Sequence, residues 1–249
     1  MAASGHTLAA RRLSGKAWRA VEAQHRVSTA KLTDNLAEQE RLETLIERVK
    51  PAVPAECAKL HYLLSTPFRY GAPYPVGSRF RRAGLSPGVF YASEKPVTAM
   101  TEIAFWRLLF FAESPQTPFP KNPGEFTAFA AEFATRRGLD LMQDPYRAKR
   151  ATWTHPTDYA PCQDLADTAR AAGIEAIAYE SARATGARNY ALLTCRVFAK
   201  REEVARQTWR IHIGAAGVRL FCEMPRESLD LPAAMFANDP RVAKMQWER

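Results

Sequence analysis

Three stretches of this chain put charged or hydroxyl side chains where the surrounding apolar pattern would carry them inward, and buried polar groups of that kind need partners or a purpose. Arg69-Tyr70 and Arg79-Phe80 flank a Gly/Pro-rich loop. Tyr91 stands near the end of the apolar run Gly88 to Ala92, and Glu102 lies among Met100, Ile103, Ala104 and Phe105. Ser181 follows Tyr179-Glu180, with Arg183 and Asn189 close behind. Planar guanidinium forks suit phosphate oxygens, and an aromatic face suits a flat ring. A fixed carboxylate suits a centre on which positive charge develops. No general base adjoins Ser181, so its chemistry is that of a hydrogen-bond donor rather than a nucleophile. Each residue also has an ordinary explanation. Glu102 can face solvent, the arginines can be surface forks, Ser181 can serve its turn, and Tyr91 can belong to the core.

The elements that must position these groups follow from periodicity. Asn35 with Glu38 resembles a capping box, and Leu42, Leu45, Ile46 and Val49 continue at helical spacing until Pro51. Residues 1 to about 30 are Ala/Ser/Arg-rich and weakly periodic, either frayed or helical, so residues 1–55 are expected to form a helical extension. The main domain is expected over 56–249. Within it, Gly88 to Ala92 reads as a strand. Pro96 opens a helix to about Phe111, with Val97, Met100, Ala104 and Leu108 on one face. Phe126 to Phe133, Ile174 to Tyr179, Tyr190 to Phe198, Gln207 to Ile213 and Val218 to Met224 read as strands, and Cys162 to Ala172 as a helix closed by Gly173. Residues 140–160 form a long loop carrying Trp153, His155 and Tyr159. Short strands between helices, without βαβ alternation, make the fold class α+β. No nucleotide-binding glycine loop is present.

Composition narrows the function classes. The 35 basic residues outnumber the 26 acidic ones, a net charge of +9 that favours polyanionic partners. The basic residues are spread along the chain and mixed with acids, which argues against direct nucleic-acid binding. Cys57, Cys162, Cys195 and Cys222 lie far apart without metal-ligand spacing. No metal site and no disulfide framework is expected, and scattered free thiols suit a reducing cytoplasm. The most apolar run, Ile103 to Ala112, contains Arg107 and is too short to span a bilayer, and the basic N-terminus reads as a cytoplasmic tail.

The runs LLSTPFRY (Leu63 to Tyr70), GSRF (Gly77 to Phe80), GVFYAS (Gly88 to Ser93), TAMTEIAFWR (Thr98 to Arg107) and YESARATGARNYALL (Tyr179 to Leu193) resemble the RES-domain toxin family. The resemblance covers roughly 63–198, and the family is named for an arginine, a glutamate and a serine. It implies an ADP-ribosyltransferase-like core of short strands with flanking helices. It implies cleavage of NAD, as substrate rather than resident cofactor, between nicotinamide and ribose. It implies Arg69, Glu102 and Ser181 as catalytic residues, and Arg79, Tyr70, Phe80, Tyr91 and Asn189 as the residues that bind NAD. It further implies a partner, an antitoxin of the Xre type through which nucleic acid is contacted indirectly; self-association is left open. Many relatives carry tryptophan and asparagine after the second arginine. Phe80-Arg81 stands there in this chain, which unsettles the nicotinamide-side contacts. Two other readings remain: ADP-ribosyl transfer to a protein, and a basic module that stacks bases on Trp153, Tyr146 or Tyr159. The intact Arg, Glu and Ser set argues against an inactive relative.

Overall fold

One long strand organises the sheet. In Gly124–Asp140 (β3) the residues Phe126, Ala128, Phe129, Ala130, Ala131 and Phe133 are buried on both faces, as in a strand covered on both sides. The computed structural model describes residues 8–23, 27–30, 32–69, 76–84 and 86–248. Along one edge, β3 pairs antiparallel with Arg11–Glu22 (β1), from Arg11↔Gly138 to Glu22↔Phe126. Its other edge is shared. Ala205–Gly214 (β6) takes the first half antiparallel, and Ala176–Glu180 (β4) takes Gly138 to Asp140 in parallel.

Arg188–Leu192 (β5) lies antiparallel between β4 and Phe90–Ser93 (β2), and β2 returns to β1 through Trp18↔Ser93. Five strands therefore close in the order β1-β2-β5-β4-β3. Gly217–Cys222 (β7) and Glu227–Pro232 (β8) continue antiparallel beyond β6. The helices are Val27–Ala30 (α1), Leu36–Val49 (α2), Tyr62–Ser65 (α3), Pro96–Glu113 (α4), Arg150–Trp153 (α5) and Ala160–Ala171 (α6). This mixture is the α+β class expected. Among the described residues no helix is long and apolar enough to cross a membrane.

Burial sorts the side chains into three cores. One draws on all five ring strands, with Leu13, Ala17, Phe90, Ala92, Phe129, Phe133, Ala176, Ala178, Tyr190 and Leu192, and so fills the ring's interior. Alternating small and large residues let so few strands close around a filled centre. The second packs Cys162, Ala166 and Ala169 of α6 against Ile177, Tyr179 and Ala191 on the outer face of β4 and β5. The third packs Met100, Ala104, Phe105 and Leu108 of α4 against Trp209, Ile211 and Leu220 of β6 and β7, with Phe236, Val242 and Met245 from the C-terminal segment.

The structure departs from the sequence reading at several places: the expected loop 140–160 includes the helix Arg150–Trp153, and the expected strand Tyr190 to Phe198 ends at Leu192. The expected helical extension is only partly helical, because Arg11–Glu22 is the strand that closes the ring. Its inward positions, Leu13 and Ala17, are too few and too small to stand out as alternation. Helix α2 has its box in a modified form: Asn35 Oδ1 accepts from Glu38 N at 3.0 Å, while the Glu38 carboxylate accepts from the Asn35 side-chain amide at 2.9 Å and from Asp34 N at 3.0 Å, in place of the Asn35 backbone N–H. β8 was not anticipated; only Leu229 and Leu231 mark its inner face. Cys57 and Cys195 are not free thiols. They form a disulfide that ties the turn at Ala55–Cys57 to the one at Cys195–Val197, while Cys162 and Cys222 stay reduced and buried.

Because Ala17 is fully buried inside the ring, Ala17→Asp would bring a carboxylate there without a partner. It is expected to cost more than about 3 kcal/mol, read as a lowered denaturant midpoint. An unchanged midpoint would mean that β1 is not part of the folded ring.

Candidate active site

Strand register sets the floor of the site. Ser93, Asn189 and Tyr179 stand directly opposite one another across β2, β5 and β4, with Tyr91, Ala191 and Ile177 two residues away on the same face. This is the outer face, turned away from the ring's interior. Polar residues there replace the apolar side chains that the rest of these strands carry, and they form a chain: Ser93 Oγ donates to Asn189 Oδ1 at 2.6 Å, and Asn189 Nδ2 donates to Glu102 Oε1 at 2.7 Å.

Glu102 comes down onto this row from α4, which opens at Pro96 in its first turn. The same Oε1 also accepts from Ser181 Oγ at 2.7 Å. Ser181 begins the turn after β4, and its oxygen accepts from the backbone N–H groups of Arg183 and Ala184, both at 3.0 Å. With its lone pairs turned to those N–H groups, the hydroxyl proton is directed at the carboxylate. One oxygen of the half-buried Glu102 is therefore locked by two donors. Among the described residues, Oε2 accepts no hydrogen bond.

Arg79 and Tyr91 form the adjoining wall. The Tyr91 hydroxyl lies 2.9 Å from Ser78 Oγ and accepts from Phe80 N at 2.9 Å, which fixes the loop that carries Arg79. Arg79 is buried; its Nη1 donates to the Trp153 carbonyl at 2.7 Å, and its guanidinium stacks 4.8 Å from the centre of the Tyr159 ring. Tyr179 links the two residues: its ring packs against Phe80, next to Arg79, and it stands opposite Asn189, which donates to Glu102. Phe80 offers no free face to a ligand. It is fully buried, edge-on to Tyr179 at 4.8 Å, because the Tyr91 hydroxyl draws its backbone inward. Arg69 pairs with Glu47 of α2 at 2.6 Å, its buried Nε finds no acceptor among the described residues, and no described hydrogen bond joins it to Glu102. Tyr70 lies outside the described residues.

A second polar layer joins Arg183 to a C-terminal segment that sequence reasoning left unassigned. Arg183 stacks 3.7 Å from the centre of the Phe105 ring and pairs with Asp239 at 3.1 Å. Arg241 clasps Asp239 through Nε to Oδ1 at 3.0 Å and Nη2 to Oδ2 at 2.8 Å, and Nη2 also donates to the Pro156 carbonyl at 2.8 Å. The C-terminal segment thereby holds both the loop before α6 and the loop after β4. Ser93 was legible as the residue two beyond Tyr91 on the same strand face. Asp239 and Arg241 gave no signal, since nothing local ties a tail to a distant loop.

Burial dominates the electrostatics. It pushes the Tyr91 hydroxyl up to about 12, despite the opposing hydrogen bonds to Ser78 and Phe80. It raises Tyr179 well above the ordinary tyrosine range, and the Glu102 charge adds to the effect. It lowers Arg183, against the stabilising charges of Glu102 and Asp239. Burial alone would raise Asp239, but the hydrogen bonds from Arg241 bring its carboxyl below the usual value.

A cavity of about 470 Å³ is lined by Arg147, Arg150, Trp153, Glu180, Thr185 and Arg188 among others. Glu102 does not line it. Glu56 lies beside Cys57 and Cys195 at ligand-like spacing, but the two sulfurs are bonded to each other and Glu56 pairs with Arg196 at 2.6 Å, so this trio is not a free donor set.

Fold and site together define a mixed α+β protein whose polar centre combines a fixed carboxylate, a serine that orients it and a nearby buried arginine. The chain belongs to the RES domain family, whose model matches residues 53–214. No curated protein matches the sequence. Among solved structures, a chain of the crystal structure of the M. tuberculosis MbcT-MbcA toxin-antitoxin complex aligns at 13% identity, covering 94% of this chain and 92% of that chain with a TM-score of 0.42. That likeness is too slight to bear on function.

Tyr91 and Tyr190 are pushed up to about 12 from the ordinary 10.0, and Tyr179 lies well above that ordinary value. An unfolded chain would release these protons first, so the stability they contribute is present below pH 10 and lost as pH rises toward about 12. Alkaline titration of phenolate absorbance should find Tyr91, Tyr179 and Tyr190 silent well above pH 10. Ionisation of these three near 10, with the fold intact, would contradict this packing.

Proposed function

We propose that this RES-domain protein cleaves NAD at the bond between nicotinamide and ribose, on an ADP-ribosyltransferase-like scaffold. As the resemblance implies, it acts in the cytoplasm as the toxin of a toxin–antitoxin pair restrained by an Xre-type antitoxin. The observation that carries the reading is the state of Glu102: one oxygen is immobilised by Ser181 and Asn189, and the other accepts nothing among the described residues.

Cleavage breaks the ribose C1′–N bond. The electron pair leaves with nicotinamide, and positive charge builds on the ribose as in glycoside cleavage. A carboxylate already oriented, with one oxygen left for a ribose hydroxyl or the developing cation, stabilises that charge without reorganising at the moment of reaction. The acceptor, water or phosphate, then closes the new bond to C1′ and loses a proton. In this scheme Ser181 and Asn189 are positioning residues. Arg79 supplies positive charge on the side assigned to the pyrophosphate. Arg69, engaged by Glu47, is assigned no step. The net charge of +9 suits an anionic substrate.

Purified protein mixed with NAD is expected to release nicotinamide, and Glu102→Gln to slow that release by about a hundredfold or more with folding retained. Mass spectrometry of the products with and without phosphate names the acceptor. ADP-ribose indicates water, its phosphorylated form indicates phosphate, and an ADP-ribosylated protein supports the transferase alternative. An equal rate in Glu102→Gln would remove Glu102 from the reaction.

A further inference from the structure

Arg183 is a cation set between two carboxylates. It pairs with one of them, Asp239, at 3.1 Å, and its side chain is only 7% exposed. The other is Glu102. Phe105, on which the guanidinium rests, lies three residues after Glu102 on α4, one turn along the same helix surface. Glu102 stabilises the Arg183 charge electrostatically, as Asp239 does, yet among the described residues Glu102 forms no ion pair. Arg183 also has an uncommitted donor, since its buried Nε–H finds no acceptor.

A buried guanidinium with an unmet N–H is drawn to any carboxylate oxygen in reach, and a bidentate pair would be its strongest arrangement. Glu102, one helical turn from the Phe105 ring that carries the guanidinium, offers an oxygen of this kind in Oε2. What opposes the move is the clasp on the other side. Asp239 accepts from Arg241 N and Nε through Oδ1, both at 3.0 Å, and from Arg241 Nη2 through Oδ2 at 2.8 Å. Arg241 is anchored in turn on the Pro156 carbonyl. Both Asp239 and Arg241 lie beyond residues 53–214, the segment matched by the family model.

We infer that Asp239 is a positioning residue that holds Arg183 on Phe105 and keeps it from pairing with Glu102. The inference rests on the NAD-cleaving reading, in which the Glu102 carboxylate must remain unneutralised to stabilise the ribosyl cation. Without the Asp239 charge, Arg183 turns to Glu102 Oε2 and spends the negative charge that the reaction uses.

The test is a double-mutant cycle on full-length protein, followed by nicotinamide release and thermal unfolding. Asp239→Asn removes the charge at constant size and should lower kcat about tenfold with KM little changed, the size expected for masking a charge-stabilising group. Asp239→Glu should recover part of the loss. Asp239→Asn combined with Arg183→Met, which keeps an apolar stem over Phe105 but no charge, should return to within about threefold of wild type, a strongly non-additive result. A purely structural role predicts the reverse, with the double variant no better than Asp239→Asn, and that outcome overturns the inference. So does a wild-type kcat in folded Asp239→Asn. Should Asp239→Asn not fold, Arg241→Met, which loosens the clasp on Asp239, enters the same cycle. A crystal structure of the single variant separates this inference from the reading it rests on. Arg183 bonded to Glu102 Oε2 supports it, and Arg183 still on Phe105 refutes it, whether or not NAD is consumed.

Discussion

A carboxylate carried on an apolar helix is tolerable only where the rest of the fold brings donors to it, and here that requirement falls on Glu102. Helix α4 buries Met100, Ala104, Phe105 and Leu108, so the helix cannot rotate to send Glu102 into solvent without exposing them. The donors come from β5 and from the turn after β4, elements that follow in the chain by about eighty residues or more. They converge only because β5 is inserted between β2 and β4. The ring closure, the register that aligns Ser93 with Asn189, and the turn that aims Ser181 are all conditions of this one placement.

The way Ser181 is used illustrates how local geometry fixes a chemical role. Its oxygen is occupied by two backbone N–H groups, so its proton has one direction left to go. The residue behaves as a rigid extension of the backbone. Asn189 does similar work from the strand: its carbonyl oxygen is taken by Ser93, which fixes the orientation of its amide and turns the NH₂ toward Glu102. The carboxylate is thus held by groups that are themselves held, the arrangement that preorganised charge stabilisation requires.

Much of this was legible in the sequence where periodicity was strong or where several segments matched one family together. Pro96 and the apolar face behind it located α4, and the run from Tyr179 to Leu193 located Ser181 and Asn189. Glu102, Ser181 and Asn189 are brought together by direct hydrogen bonds, with Arg79 and Tyr91 beside them. What was not legible depends on long-range pairing. β1 carries too few apolar residues to announce itself, because a narrow ring asks its closing strand for alanine and backbone bonds more than for bulk. The Cys57–Cys195 bond joins residues 138 positions apart, with no local spacing to betray it. Arg69 looked like one of a pair of phosphate forks, but its partner, Glu47, lies on a helix whose docking no local pattern specified.

The segment that the family model matches, residues 53–214, is shorter than the segment over which the hydrophobic cores are continuous. The strand that seals the ring precedes it, and the aspartate and arginine that brace the loops around Glu102 follow it. A boundary drawn by family likeness would cut through two continuous hydrophobic cores and leave raw sheet edges on both sides. For this chain, recognisability and self-sufficiency have different limits, and the wider one belongs to self-sufficiency.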